Sequence, residues 1–238
     1  MYKFFLFFIF LISSTYLAIE VKYSNLTFNK IQTNNKVWKH RGGTPENSLS
    51  GISKSLTEGY QGIEIDINYD DKIDKFIVDH DYDHESSKAK TLTLQEVLTE
   101  NRVKDVKWWL DLKNLKNDNY QKVLKLLKSI EDKYDLNDKY FIESDQFIPL
   151  RALANASIPS VYWINPHSKS RIHYLRIVEN KIKLIFSNFI GVSIYYESYD
   201  TKAKKYLSHI NKFIFTVNGK GKEIYINDPT VNIVLTDD

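Results

Sequence analysis

The chain of 238 residues has no cysteine, which excludes any disulfide and any lipid attached through a thiol. It also lacks an excess of one charge. Its 33 basic and 30 acidic residues leave a formal net charge of +3, spread along the chain and too small to argue for a nucleic-acid partner. Lysine-rich stretches such as QKVLKLLKSIEDK read as solvated helix faces. There is no internal repeat of fixed length and no low-complexity tract. The apolar run at 4–12 is about half the roughly 20 residues needed to span a bilayer. An apolar fraction of 42% is nevertheless enough for a substantial core in a single domain.

The N-terminal MYKFFLFFIFLISSTYLA has a basic start at Lys3, a short apolar run, then small and polar residues, the layout of a secretory signal. No clean small-x-small cleavage site follows, so an uncleaved anchor, with association to a membrane through this segment, stays open. The expected organisation is a signal peptide or anchor at 1–20, a linker at 21–36 and a folded domain at 37–238, in an exported protein (secreted, periplasmic or cell-surface). Oligomeric state is not legible.

Within the domain, strand and helix signals alternate. The β-rich runs are VWKHRG, GIEIDINY, KWWLDLKN, YFIESD, SVYWINP, FIGVSIYY, KFIFTVNG and VNIVLTD, with helical patterns between most of them. The stretch GKGKEIYINDPT before the last strand is a poor helix. Eight strands alternating with helices predict a (β/α)8 barrel. KFIVDH is one strand too many and is expected to fold back on the second strand as a hairpin, with its turn near Asp70 to Asp74. Active sites of such barrels lie at the C-terminal ends of the strands. Strand periodicity puts Glu64 and Asp66 on one face and Ile63, Ile65 and Ile67 on the other, and likewise separates Asp111 and Lys113 from Leu110 and Leu112. Each strand taken singly also fits a half-exposed antiparallel sheet.

In the barrel, Glu64, Asp66 and Asp111 converge in the mouth, repel one another and resist ionisation unless a cation joins them. Oxygen donors alone suit Ca²⁺ or Mg²⁺ rather than zinc or copper. His40 and Arg41 open the segment HRGGTPENSLSGI at 40–52, late in the first strand. Arg41 offers a planar fork and Lys113 a point charge for a phosphate anion. Gly42 and Gly43 allow a tight exit from the strand. Glu46 and Asn47 brace the loop or touch substrate. An imidazole such as His40 or His80 can pass a proton near neutral pH, although a single strand His is more often structural.

HRG with PEN, then EID, then DHD with His80, then DLK, FTVN and TDD stand in the order found in glycerophosphodiester phosphodiesterases, which the chain resembles over about 37–238. The resemblance implies a TIM barrel of the phospholipase-C-like phosphodiesterase type, with a small extra hairpin after the second strand. It implies a divalent cation, Ca²⁺ or Mg²⁺, held by Glu64, Asp66 and Asp111, with His40 and His80 as general acid and base. The implied substrate is a small glycerophosphodiester, hydrolysed to glycerol 3-phosphate and an alcohol. Asp111 stands where the family usually has Glu, Phe215 where it has Trp, and the large insertion of some exported members is absent. Two other readings remain: a phospholipase of the same fold, C-like or D-like, acting on intact phospholipids, and a barrel that binds phosphate compounds without turnover. The phospholipase reading calls for exposed apolar groups at the mouth. Trp108, Trp109, Tyr162, Trp163, Tyr195 and Tyr196 are candidates, most of them better explained as core.

Overall fold

Residues 2–28, 33, 35–82, 91–102, 104–165 and 173–238 are described by a computed structural model. Among them are nine strands: β1 (Val37–Lys39), β2 (Gly62–Asp70), β3 (Lys75–Val78), β4 (Lys107–Leu112), β5 (Tyr140–Ser144), β6 (Ser160–Trp163), β7 (Gly191–Tyr195), β8 (Lys212–Phe215) and β9 (Val231–Thr236). Eight helices accompany them: α1 (Tyr2–Ser24), α2 (Leu49–Thr57), α3 (Leu94–Glu100), α4 (Tyr120–Tyr134), α5 (Phe147–Asn155), α6 (His173–Ile185), α7 (Thr201–Tyr206) and α8 (Glu223–Ile226). All strands but β3 are parallel, and β1 pairs with both β9 and β2, so eight strands close into a ring. β3 lies outside it, antiparallel to β2, with Ile67 opposite Val78 and Asp70 opposite Lys75. The eight expected strands and the extra hairpin are all present. The poor helix before β9 is a turn of 3-10 helix at Gly219–Lys222 followed by the four-residue α8.

Two layers of core follow from the period of two. Outward residues Ile63, Ile65, Ile67, Leu110 and Leu112 join the apolar layer under the helices. Inward residues Trp38, Trp109, Phe141, Val161, Phe213, Ile233 and Leu235 fill the barrel below the mouth. The ring centroids of Trp109, Phe141 and Phe213 lie 5.0–5.8 Å apart, in tilted and edge-on contacts. Gly62 is required here, because a Cβ on it would stand 2.0 Å from the Trp38 ring. Side chains account for three of the helix starts, among them α7, where Asp200 accepts from the Lys202 and Ala203 N–H groups. Ser48 accepts from the Gly51 N–H ahead of α2, and Thr93 and Glu96 cap α3 reciprocally.

Helix α1 runs on through residues 21–24, past the expected boundary at residue 20. The last turns of α1 lie on the barrel. Tyr23 is buried, its hydroxyl donates to the Tyr206 carbonyl at 2.9 Å, and Glu20 pairs with Lys181 at 2.6 Å. Earlier in α1, Phe4, Phe7, Phe10, Leu11, Ile12 and Leu17 are exposed. Among the described residues no helix is long and apolar enough to cross a membrane.

Candidate active site

The exit from β1 positions the first half of the site. His40–Gly42 form one turn of 3-10 helix, in which Arg41 takes a left-handed φ of 48° and Gly42 and Gly43 have φ of 67° and 89°. Side chains are excluded at both glycines: a Cβ would lie 2.6 Å from Ile52 at Gly42 and 2.4 Å from Ser55 at Gly43. This turn aims the Arg41 N–H at the Glu64 carboxylate, 2.7 Å away. Asn47 then locks the loop to β2: its amide donates to Asp66 Oδ2 at 2.9 Å, and its oxygen accepts from the Asp66 N–H at 3.0 Å. Glu46 pairs with the Arg41 guanidinium at 2.8 Å. Both Glu46 and Asn47 therefore brace the loop.

Strand register sets the second half. Asp66 lies beside Asp111, and Asp111 beside Glu143, so three adjacent strands present carboxylates at one level. Carboxylate oxygens of Glu64, Asp66 and Asp111 come within 4.8 Å of one another, close enough to hold a metal ion. Lys113 bridges two of them, 2.8 Å from Asp66 and in contact with Asp111. Arg41 Nε is 3.2 Å from Asp66, an ion pair too poorly aligned to be a hydrogen bond.

The charges are unevenly compensated. Burial, with Asp66 and Asp111 as neighbours, pushes the Glu64 pKa well up. Burial raises Asp111 too, against the opposing pull of Lys113. Asp66 is lowered, because Lys113, Asn47 and Arg41 together outweigh its burial. Burial works against a charged Lys113, but Asp111 and Asp66 overcome it and raise its pKa. The triad thus carries more negative charge than the two cations neutralise, the donor chemistry of a hard divalent ion.

Both expected histidines reach this cavity, which has a volume of about 380 Å³. His40 donates Nδ1–H to Asp237 Oδ1 at 2.7 Å, and its Nε2 lies 3.9 Å from Glu64. His80 donates Nδ1–H to Asp81 at 2.6 Å. In each ring a carboxylate selects the tautomer that leaves Nε2 to exchange protons. His84 and His167 lie outside the described residues. His173 begins α6, and His209 binds the Tyr23 carbonyl far from the cavity.

Sequence reasoning missed two carboxylates. Asp237 orients His40 and is held in turn by the Asn218 amide at 2.8 Å; both lie in the quoted FTVN and TDD segments, where neither had a role. Glu143 lines the cavity and accepts from the Trp109 indole and the Ser193 hydroxyl. Its pKa is pushed up to about 8, by burial first and then by Asp111. The alternation of FIES contained its signal, since Phe141 and Glu143 face inward together. Trp163, Tyr195 and Phe215 complete the wall.

No protein-family model and no curated protein matches the sequence. Solved structures do match. A glycerophosphodiester phosphodiesterase from Parabacteroides distasonis is 16% identical, with a TM-score of 0.66 over 89% of this chain and 94% of that one. The chain has the fold of these phosphodiesterases. A phosphodiesterase from Oleispira antarctica, solved with its product sn-glycerol-3-phosphate, is 15% identical, with a TM-score of 0.63 over 85% of this chain and 93% of that one. A calcium-dependent phosphoinositol-specific phospholipase C from a Pseudomonas species is 11% identical, with a TM-score of 0.52 over 84% and 87%.

Proposed function

We propose that the protein is a metal-dependent phosphoric diester hydrolase that cleaves glycerophosphodiesters to glycerol 3-phosphate and an alcohol. The observation that carries this reading is the meeting, in one cavity, of the Glu64–Asp66–Asp111 triad with two carboxylate-oriented imidazoles and with Arg41 and Lys113. The product bound to the Oleispira phosphodiesterase supports the substrate class, and the calcium dependence of the Pseudomonas phospholipase supports a divalent ion. Glu64, Asp66 and Asp111 would hold that ion, Ca²⁺ or Mg²⁺. When bound, it supplies charge neutralisation to the transferring phosphoryl group. Arg41 and Lys113 share the remaining charge of the diester. One imidazole Nε2 takes the proton of the attacking oxygen, and the other Nε2–H gives a proton to the departing alcohol oxygen as the P–O bond breaks.

Action on intact phospholipids would need an apolar rim, and that rim is sparse among the described residues. Trp108, Trp109 and Tyr162 are buried, and Tyr195 is the exposed large aromatic of the cavity wall. The exposed apolar side chains of α1 support export through residues 1–20, with the anchored form distinguished by the mass of the mature N-terminus. The activity test is release of glycerol 3-phosphate from a panel of diesters. EDTA should abolish it and Ca²⁺ or Mg²⁺ restore it. Full turnover after exhaustive chelation would overturn the metal role.

A further inference from the structure

Lys39 is a buried cation that the chemistry above does not use. Trp38 points into the barrel, so the period of two turns Lys39 outward, toward Tyr60 after α2 and the residues after β9. Lys39 is 6% exposed, and its stem packs against the glycine turn, with Cε 3.2 Å from where a Gly43 Cβ would lie. Its ammonium donates to the main-chain oxygens of Asp237 at 3.1 Å and Asp238 at 2.6 Å, and it lies 5.1 Å from the centre of the Tyr60 ring. The Tyr60 hydroxyl donates to the same Asp238 oxygen at 2.6 Å.

The residues held this way include the carboxylate that orients His40. Asp237 follows the last ladder pair, Lys39 with Thr236, and its side chain is 51% exposed. A carboxylate so open keeps one aim only if its backbone is fixed, because a mobile main chain and free rotamers would swing it into water. Asn218 fixes part of it, pairing with the Asp237 N–H and carboxylate at 2.8 Å each. Gly219 and Lys222 hold the Asp238 carboxylate at the surface, where an ion pair contributes little. Lys39 is the buried member of the set, and charge-assisted hydrogen bonds made out of water are the strong ones. One strand end therefore carries both the imidazole and the clamp on the imidazole's partner. We propose that Lys39 is a positioning residue: by clamping the main chain at 237–238 it holds the Asp237 carboxylate on His40 Nδ1, and so fixes the ring tautomer that leaves Nε2 open for proton transfer. The effect on turnover rests on the hydrolase reading; the effect on the tautomer does not.

The test has a spectroscopic arm and a turnover arm. Lys39→Met keeps an apolar stem and removes the ammonium. It is compared with wild type, Asp237→Asn and the double variant, each checked for folding by its melting curve. In EDTA, at a pH where the ring is neutral, the nitrogen resonances of His40 should show the Nδ1–H tautomer in wild type and a mixture of tautomers in Lys39→Met. In parallel, kcat for glycerophosphodiester hydrolysis should fall about tenfold with KM little changed. The double variant should be no worse than Asp237→Asn alone, since both changes act through one contact. Should Lys39→Met fail to fold, Lys39→Gln, whose shorter neutral amide also removes the charged clamp, is read in the same way. A folded variant with the wild-type tautomer and kcat would overturn the proposal, as would a loss that adds in full to that of Asp237→Asn. A lower melting temperature with an unchanged tautomer would make Lys39 structural only. A tautomer that depends on Lys39 in a protein that cleaves no diester would keep the clamp and remove the hydrolase reading instead.

Discussion

The two sides of the barrel mouth are built from the same strand ends and differ in how they are held. On β1, β2 and β4 the polar groups interlock: Asp66 alone meets Asn47, Lys113 and Arg41, and Glu64 receives the Arg41 N–H. On β6, β7 and β8 the cavity wall is aromatic, and Tyr195 touches Tyr196 and Phe215 at centroid distances of 4.8 and 6.0 Å. The first side is a preorganised set of charges, suited to a reacting phosphoryl group. The second offers shape and ring faces, suited to whatever leaves. On the proposed reading the reaction is tied to the first side, and the second is left to contact the rest of the substrate.

The largest expected break in this contrast comes from the imidazoles. His40→Ala or His80→Ala should each lower turnover by roughly 10²–10⁴-fold, and the double variant should be little worse than the worse single one, since groups acting as a unit are not additive. Near-normal rates in a folded single variant would remove that residue from the mechanism. A smaller effect should come from Asp237→Asn, which keeps the shape but weakens the hold on His40 Nδ1. A loss of about 10–100-fold is expected, with a changed pH profile of kcat/KM. An unchanged profile would make the contact structural only.

The smallest effect concerns Glu143, on β5 between the two sides. Its folded pKa of about 8 lies above the ordinary 4.5. Folding therefore favours its protonated form. That stabilisation is complete below about pH 4.5 and is lost as pH rises through about 8. In EDTA, wild type should lose melting temperature between pH 5 and 8 more steeply than Glu143→Gln. Parallel curves would show that Glu143 ionises without cost.

The ionic side was legible because its groups are neighbours in sequence. His40, Arg41 and Asn47 share one loop, Glu64 and Asp66 one strand, and Asp111 and Lys113 another. A period of two settles which of them face together. The aromatic side was not legible as a site. Trp163, Tyr195 and Phe215 come from three strands, and in sequence each looks like one more core residue. Asp237 was equally obscure: it reaches His40 only because β9 pairs with β1, across 197 positions of chain.

By itself the sequence determined the eight strands of the barrel, the extra hairpin, the inward carboxylates and the tight glycine turn after β1. Each follows from local periodicity or local sterics acting within about ten residues. The tertiary structure alone decided that Asp66, Asp111 and Glu143 stand at one level, that Asp237 orients His40, and that the last turns of α1 lie against the barrel. Those outcomes depend on the register of parallel strands and on closure of the ring, and crossover connections leave both unspecified until the whole sheet has formed.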